Sequence, residues 1–257
     1  MKLHFHKYQG TGNDFVVIDN RDNHFDRKNN QLVAQLCDRR FGVGADGLML
    51  LQNHPNYGFE MVYFNADGFE GSMCGNGGRC LVQFAHDLGV ISKSTTFIAV
   101  DGEHEAFLEN GLVHLKMIPV TEIENNAEFD YMNTGSPHYV TYVENLEGFD
   151  VYGEGKKVRY NDRFNKIGTN VNFVQEIGDN SLRVRTYERG VEDETLSCGT
   201  GVTACALSAS LKGYTSPIQL KVEGGQLAVS FEKTATGYDN IFLIGPAVKV
   251  FDGEFLI

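Results

Sequence analysis

The chain has 257 residues, 42% of them hydrophobic, no tryptophan and a formal net charge of −12. That length supports one large domain or two small ones with cores of their own. No run of about 18 apolar residues is present to span a bilayer, "MKLHFHKYQG" lacks the apolar segment of a signal peptide, and no Lys/Arg cluster offers a nucleic-acid face; a cytoplasmic protein without membrane or nucleic-acid partners is expected.

In chain order, the first half predicts a strand at Asp14–Asp19, a helix at Gln31–Arg40, strands "GLMLLQ" and "FEMVYFN", then the glycine-rich "SMCGNGGRC" (72–80). A helix follows in which Leu81, Phe84, Ala85 and Leu88 recur at helical spacing, and strands run from Thr95 to Met117. Glu122–Asn126, polar and just past Pro119, reads as a linker. The second half predicts strand "HYVTYV", a helix over Asn145–Val158, and strands "VNFVQEI" and "LRVRTY". A second glycine-rich stretch follows, "LSCGTGVTAC" (196–205), with Val202, Cys205, Ala206 and Ala209 at helical spacing, and then strands to Val250.

The halves repeat one another. Both carry Glu-x-x-x-Cys-Gly-x-Gly, at Glu70–Gly77 and Glu194–Gly201, and in both a glycine stands fifteen residues past the cysteine, at Gly89 and Gly213, to end the helix. Both helices are apolar nearly all round and belong inside their domains. The expected fold is α+β, with two pseudo-symmetric domains, each a strongly curved, mostly antiparallel sheet wrapped around a central helix. The boundaries read as 1–120 and 121–247, with a C-terminal strand near 248–257 as a candidate to return to the first domain. The two cysteine-bearing helix starts are expected to face each other across a cleft.

Five cysteines, odd in number and without C-x2-C pairs, suit neither a disulfide framework nor structural zinc, so no metal is expected. A lone cysteine before a helix is more often buried and inert, and Cys37, Cys80 and Cys205 are assigned to the core. The duplicated context sets Cys74 and Cys198 apart. A thiol at a helix start sits at the positive end of the dipole, which favours the thiolate. The glycines after it let a carboxylate approach the N–H groups. Two such thiols on opposite sides of one carbon would remove a proton from one face and deliver one to the other, inverting the centre without a cofactor, while the N–H groups hold the developing negative charge. "GVGADG" (42–47) and "GTGVTA" (199–204) imitate a dinucleotide fingerprint but lack its strand-before, helix-after context.

"GTGNDFVVID" (10–19), "FNADGFEGSMCGNGGRC" (64–80) and "YERGVEDETLSCGTG" (187–201), supported by "GADGLMLL", "NTGSPHYV" and "GTNVNFVQ", resemble the diaminopimelate epimerase family over nearly the full chain. The resemblance implies cofactor-independent conversion of LL-2,6-diaminopimelate to the meso form, in the route to lysine and peptidoglycan precursors, by a homodimer. It implies that Cys74 and Cys198 are the acid/base thiols and that Asn13, Asn65, Asn170, Glu188 and Arg189 bind substrate. It further implies that Gly75 and Asn76, with Gly199 and Thr200, cradle the reacting carboxylate, and that His138 and Glu188 assist beside the thiols. An Arg offers a two-pronged donor for a distal carboxylate. Departures are Gly47 where some members have Gln, Ser136 where many have Asn, and a longer segment at 190–197. The rival readings are a proline or hydroxyproline racemase, which would use the same thiols on a substrate without a second amino-acid end, and a non-catalytic amino-acid-binding protein on this scaffold. A phenazine-biosynthesis-type isomerase is disfavoured because it lacks the cysteine pair.

Overall fold

The apolar runs in "DFVVID" and "GLMLLQ" become strands buried on both faces, and that arrangement explains why they do not alternate. In the computed structural model, which describes residues 2–71 and 73–257, the chain divides into two compact units. One is Met1–Leu115 with Gly245–Ile257, the other Lys116–Ile244. Ser72, in the first glycine-rich stretch, lies outside the described residues.

The first half runs β1 (Lys2–Gly10), β2 (Asn13–Asp19), α1 (Asn30–Cys37), β3 (Gly47–Gln52), β4 (Glu60–Asn65), α2 (Gly75–Asp87), β5 (Ser94–Ala99), β6 (Gly102–Glu109) and β7 (Leu112–Lys116). The second runs β8 (Ile123–Asn125), β9 (Asp130–Asn133), β10 (Pro137–Tyr142), α3 (Val151–Arg159), β11 (Asn170–Gly178), β12 (Ser181–Glu188), β13 (Asp193–Thr195), α4 (Gly199–Leu211), β14 (Ile218–Val222), β15 (Gly225–Thr234), β16 (Gly237–Gly245) and β17 (Val248–Leu256).

In the first unit β1 lies antiparallel between β2 and β17, β2 is parallel to β3, β4 is parallel to β5, and the remaining neighbours are antiparallel. The second unit repeats this order. There β9 lies antiparallel between β8 and β10, β10 is parallel to β11, and β12 is parallel to β14. Strands surround each central helix: α2 packs on β1, β2, β3, β4, β6 and β17, and α4 on β9, β10, β11, β12, β14 and β15.

Register decides which helix each side chain meets. Phe15, Val17, Met49 and Leu51 point into the core around α2, while Val16, Ile18, Leu48 and Leu50 join the core around α1. In the second unit Val140 and Val174 pack with α4, and Val171 and Phe173 with Val151 of α3. A one-residue slip would exchange the two faces of each strand.

Both central helices end as their spacing predicts. Gly89 (φ 71°) and Gly213 (φ 96°) adopt the left-handed conformation. Their N–H groups bond to His86 O and Ser210 O, and those of Val90 and Tyr214 to Ala85 O and Ala209 O, the paired closure that satisfies a helix's last carbonyls.

Several expectations need correction. The first helix stops at Cys37 rather than Arg40, because the Asp38 carboxylate takes the N–H groups of Arg40 and Phe41, each at 2.7 Å, and turns the chain. The helix expected from Asn145 starts at Val151, where the Asp150 carboxylate caps the N–H of Gly153 at 2.8 Å. The segment read as a linker forms β8, paired with β9. Of the two helices expected to be apolar all round, α4 is buried nearly throughout, but α2 exposes His86 and Asp87 in its last turn. Among the described residues no helix is long and apolar enough to cross a membrane.

Candidate active site

Cys74 is the N-cap of α2, in extended backbone (φ −100°, ψ 131°). Intrahelical bonding begins with the Gly78 N–H on Cys74 O, so the amides of Gly75, Asn76 and Gly77 lie upstream of it, at the helix's positive end. The turn between β1 and β2 brings in Asn13. Its Oδ1 lies 3.6 Å from the Cys74 Sγ and accepts from Asn76 Nδ2 at 3.3 Å, while its Nδ2 donates to Asp46 at 2.6 Å. Asp46 is clasped in turn by Arg39, which also donates twice to Asp14. Lys7 pairs with Asp14 at 2.8 Å. Against the desolvation of its partial burial, these donors hold the Asp14 carboxyl below the usual range.

Cys198, 7% exposed, is the N-cap of α4 with nearly the same backbone (φ −118°, ψ 110°). The Val202 N–H on Cys198 O opens the helix. Here the thiol's neighbour is the Thr200 hydroxyl, 3.5 Å away, which also meets His138 Nε2 at 2.9 Å. Asn172 Nδ2 donates to His138 Nδ1 at 3.1 Å, and the Asn172 Oδ1 accepts from Thr186 at 3.0 Å. That network assigns the imidazole proton to Nε2, facing Thr200, and leaves the threonine's own proton for the sulfur. His138 is wholly buried; burial first, then the charge of Arg189, push its pKa down to about 3. It is neutral at physiological pH.

The other site residues expected in this unit gather at the start of β11 and the end of β12. Asn170 Nδ2 donates to Ser136 Oγ at 2.9 Å, and its Oδ1 accepts the Arg189 N–H at 2.9 Å. The exposed Arg189 guanidinium reaches Ile167 O and Ser136 Oγ and, among the described residues, enters no ion pair. Glu188 accepts from the Thr195 hydroxyl at 2.7 Å. In the first unit Asn65 stands exposed at the end of β4, in a tight loop closed by its backbone bonds to Phe69 and Gly68.

The structure thus groups Cys74, Gly75, Asn76 and Asn13 at one helix start, and Cys198, Gly199, Thr200 and His138 at the other. The departures have local explanations. A Cβ on Gly47 would stand 2.7 Å from the Tyr63 ring and 2.6 Å from Phe64 O, so Tyr63 fills the space a side chain would need. Ser136 ties Asn170 to Arg189. The longer 190–197 segment is held by Glu192, which accepts from Tyr160, Tyr187 and Arg159. Glu194 of the repeat pairs with Arg185 through two bonds, whereas Glu70 is exposed, so the repeated glutamates are not a shared site element. Sequence reading missed Asp46, which lay inside a discounted glycine pattern, and Asn172, whose place two residues after Asn170 on the same strand face was the available signal.

The diaminopimelate epimerase family profile matches residues 5–109 and 131–250. The chain is 52% identical to a diaminopimelate epimerase of Flavobacterium psychrophilum over 98% of its own length and 99% of the relative's. It is 44% identical to the enzyme of that name from Chlorobaculum tepidum, over 96% and 99%. Among solved structures it resembles a phenazine biosynthesis protein of the PhzF family from Bacillus anthracis (TM-score 0.78, 14% identity, all of both chains). It also resembles a hydroxyproline epimerase from Agrobacterium vitis (TM-score 0.68, 15% identity, 98% and 92% covered). Those two likenesses speak for the fold, and the sequence relatives carry the assignment: the chain belongs to the diaminopimelate epimerase family.

Proposed function

We propose that this protein epimerises LL-2,6-diaminopimelate to the meso form without a cofactor, with Cys74 and Cys198 as its two bases. A thiolate at one helix start takes the α-proton, and the thiol at the other supplies a proton to the opposite face. Negative charge building on the carboxylate is met by the N–H groups that precede the first intrahelical bond of α2 and α4. The observation that carries the reading is the duplicated N-cap thiol, each in extended backbone before a glycine-opened, buried helix. Asn13, Asn65, Asn170, Glu188 and Arg189 serve the amino and carboxylate groups of the distal end. Arg189, exposed and without an ion pair among the described residues, suits a distal carboxylate.

The family resemblance further supports a cytoplasmic homodimer acting in lysine and peptidoglycan precursor synthesis, and sedimentation at micromolar protein tests the assembly. Incubation of the reduced protein with LL-diaminopimelate, read by chiral chromatography, is expected to give the meso isomer. Turnover of proline or hydroxyproline in its place would move the assignment to the racemases. Binding without conversion would make the chain an amino-acid-binding protein.

A further inference from the structure

The segment that is longer than the family pattern begins directly beside Arg189. Glu188 at the end of β12 pairs with Asp193 at the start of β13, so residues 189–192 form the tip of a hairpin. The Glu192 N–H closes that tip on Glu188 O at 2.8 Å. Gly190 (φ 94°) and Glu192 (φ 59°) are both left-handed there. Glycine adopts this conformation freely, but a glutamate keeps it only where its surroundings compensate.

The Glu192 carboxylate supplies the compensation. Its Oε1 accepts the Gly190 N–H at 3.1 Å and the Arg159 guanidinium at 3.2 Å. Its Oε2 accepts the hydroxyls of Tyr160 at 2.9 Å and Tyr187 at 3.2 Å. Tyr187 belongs to β12, whereas Arg159 and Tyr160 stand at the C-terminal end of α3. One side chain thus ties the hairpin tip to its own strand and to the end of a helix. Against the desolvation of partial burial, these donors hold the Glu192 carboxyl below the usual range, so it is ionised at physiological pH.

Arg159 and Arg189 converge on one glycine. A Cβ on Gly168 would stand 2.5 Å from Arg189 Cδ and 3.1 Å from Arg159 Cζ, so both side chains pass its open face. Gly168 is left-handed (φ 80°) and its N–H bonds to Phe164 O at 2.7 Å, which brings the loop after α3 against the Arg189 stem. The Arg189 guanidinium then reaches Ile167 O at 3.2 Å. Two neighbouring cations repel unless one is matched. The match for Arg159 is Glu192, at 3.2 Å, with side chains 14% and 30% exposed. With Glu192 committed to Arg159, the charge of Arg189 stays available to a ligand.

We propose that Glu192 is a positioning residue for Arg189. It fixes the hairpin tip that carries Arg189 and neutralises the arginine beside it, so that a single guanidinium is presented to a substrate carboxylate. Gly168 is the other half of the device, the gap that the Arg189 stem occupies. The proposal rests on the reading of Arg189 as the ligand of the distal carboxylate. It gives the extra length of the 190–197 segment a use in substrate recognition, apart from the proton transfers.

The test takes reduced full-length protein as wild type, Glu192→Ala, Glu192→Gln, Arg189→Ala and the double variant of Glu192→Ala with Arg189→Ala, and LL-diaminopimelate as substrate. Glu192→Ala is expected to raise KM by about tenfold or more and to change kcat by less than about threefold, because a binding group is misplaced while the thiols are untouched. Glu192→Gln keeps an acceptor oxygen but loses the charge on Arg159, and its KM should fall between. In the Arg189→Ala background the Glu192→Ala change should leave KM within about twofold, since a residue that acts through Arg189 has nothing left to act on. A KM within about twofold of wild type in folded Glu192→Ala overturns the proposal, as does an equal rise once Arg189 is gone. Where Glu192→Ala does not fold, Glu192→Gln decides by the same criterion.

Amide hydrogen exchange across the 189–192 tip, where the Arg189 N–H is held by Asn170 Oδ1, needs no substrate. It is expected to quicken by about tenfold or more in Glu192→Ala, and unchanged exchange overturns the proposal. Wild-type protein that makes no meso product would sink the epimerase reading, and faster exchange in the variant would then leave Glu192 standing as the residue that holds Arg189.

Discussion

At the start of α2 the N-cap thiol looks onto amides, Asn13 and Asn76, with a buried arginine behind them and a charged cluster of Asp14, Asp46, Lys7 and Arg39 beyond. At the start of α4 the same thiol looks onto a hydroxyl, backed by a neutral imidazole and the amide of Asn172. Backbone conformation, glycine spacing and helix closure are shared. Duplication has kept what the backbone supplies, a dipole and a fan of N–H groups, while the side chains around each sulfur have diverged. A symmetric reaction needs two thiols in matched places, but at any moment it needs one ionised and one protonated.

The largest effects should come from removing either sulfur. Cys74→Ala and Cys198→Ala are each expected to lower net epimerisation by roughly a thousandfold or more, near the upper range for loss of a positioned acid or base. Cys80→Ala and Cys205→Ala, both buried in cores, should lower melting temperature and leave turnover in the folded protein. Full activity in either N-cap variant would break the comparison outright.

Next comes Arg189→Ala. If its guanidinium serves the distal carboxylate, kcat/KM should fall by about 2–5 kcal/mol in transition-state stabilisation, and Lys should rescue it only in part. If it merely braces Ile167 O and Ser136, melting temperature falls and kinetics stay normal.

A smaller effect should separate the two helix starts. A Cβ on Gly201 would stand 2.5 Å from Asn172 Oδ1 and 3.3 Å from the Cys198 sulfur, whereas one on Gly77 meets the flexible Met49 sulfur at 3.1 Å. Gly201→Ala should cost about 1–3 kcal/mol of stability and lower kcat by disturbing the Asn172–His138–Thr200 chain. Gly77→Ala should cost less on both counts, as denaturant unfolding and kinetics on the two proteins will show.

The last effect is on pH dependence. The pKa of His138 lies at about 3 in the folded chain against an ordinary 6.5. The unfolded chain therefore takes up a proton the folded one refuses, so stability is full above pH 6.5 and drains away as pH falls toward 3. Asp14 has the opposite ionic form but the same sign: its depressed carboxyl contributes stability above the ordinary carboxylate range and loses it only in stronger acid. Between pH 6.5 and 4, chemical denaturation should thus report loss from the His138 side first. His138→Gln should flatten that part of the curve.

How much of this was legible in the sequence follows from what each residue answers to. Cys74, Cys198, Gly89 and Gly213 answer to local backbone needs, a helix start and a left-handed end, and spacing exposes those needs. The outer helices were misjudged at their ends because Asp38 and Asp150 bond backbone amides a few residues on, a competition that periodicity does not register. β8 was read as a linker because its three residues, Ile123 half-buried and Glu124 and Asn125 exposed, are too few to show an alternation that would reveal their pairing with β9. Asn172 and Asp46 act across strands and turns, through partners 34 and 33 residues away, and only Asn172 carried a local signal, its place two residues after Asn170 on one strand face. The site's polar frame was therefore legible where the family resemblance named it, and its supporting groups emerged only with the fold.

The most direct test of the two-base account is the fate of the solvent proton. Reduced protein turning over LL-diaminopimelate in D2O should place deuterium at the inverted carbon of the first meso product while recovered substrate stays largely unlabelled, because the thiol that gives the proton is not the one that took it. Equal, rapid labelling of both pools would mean that a single base serves both faces, and would contradict the account.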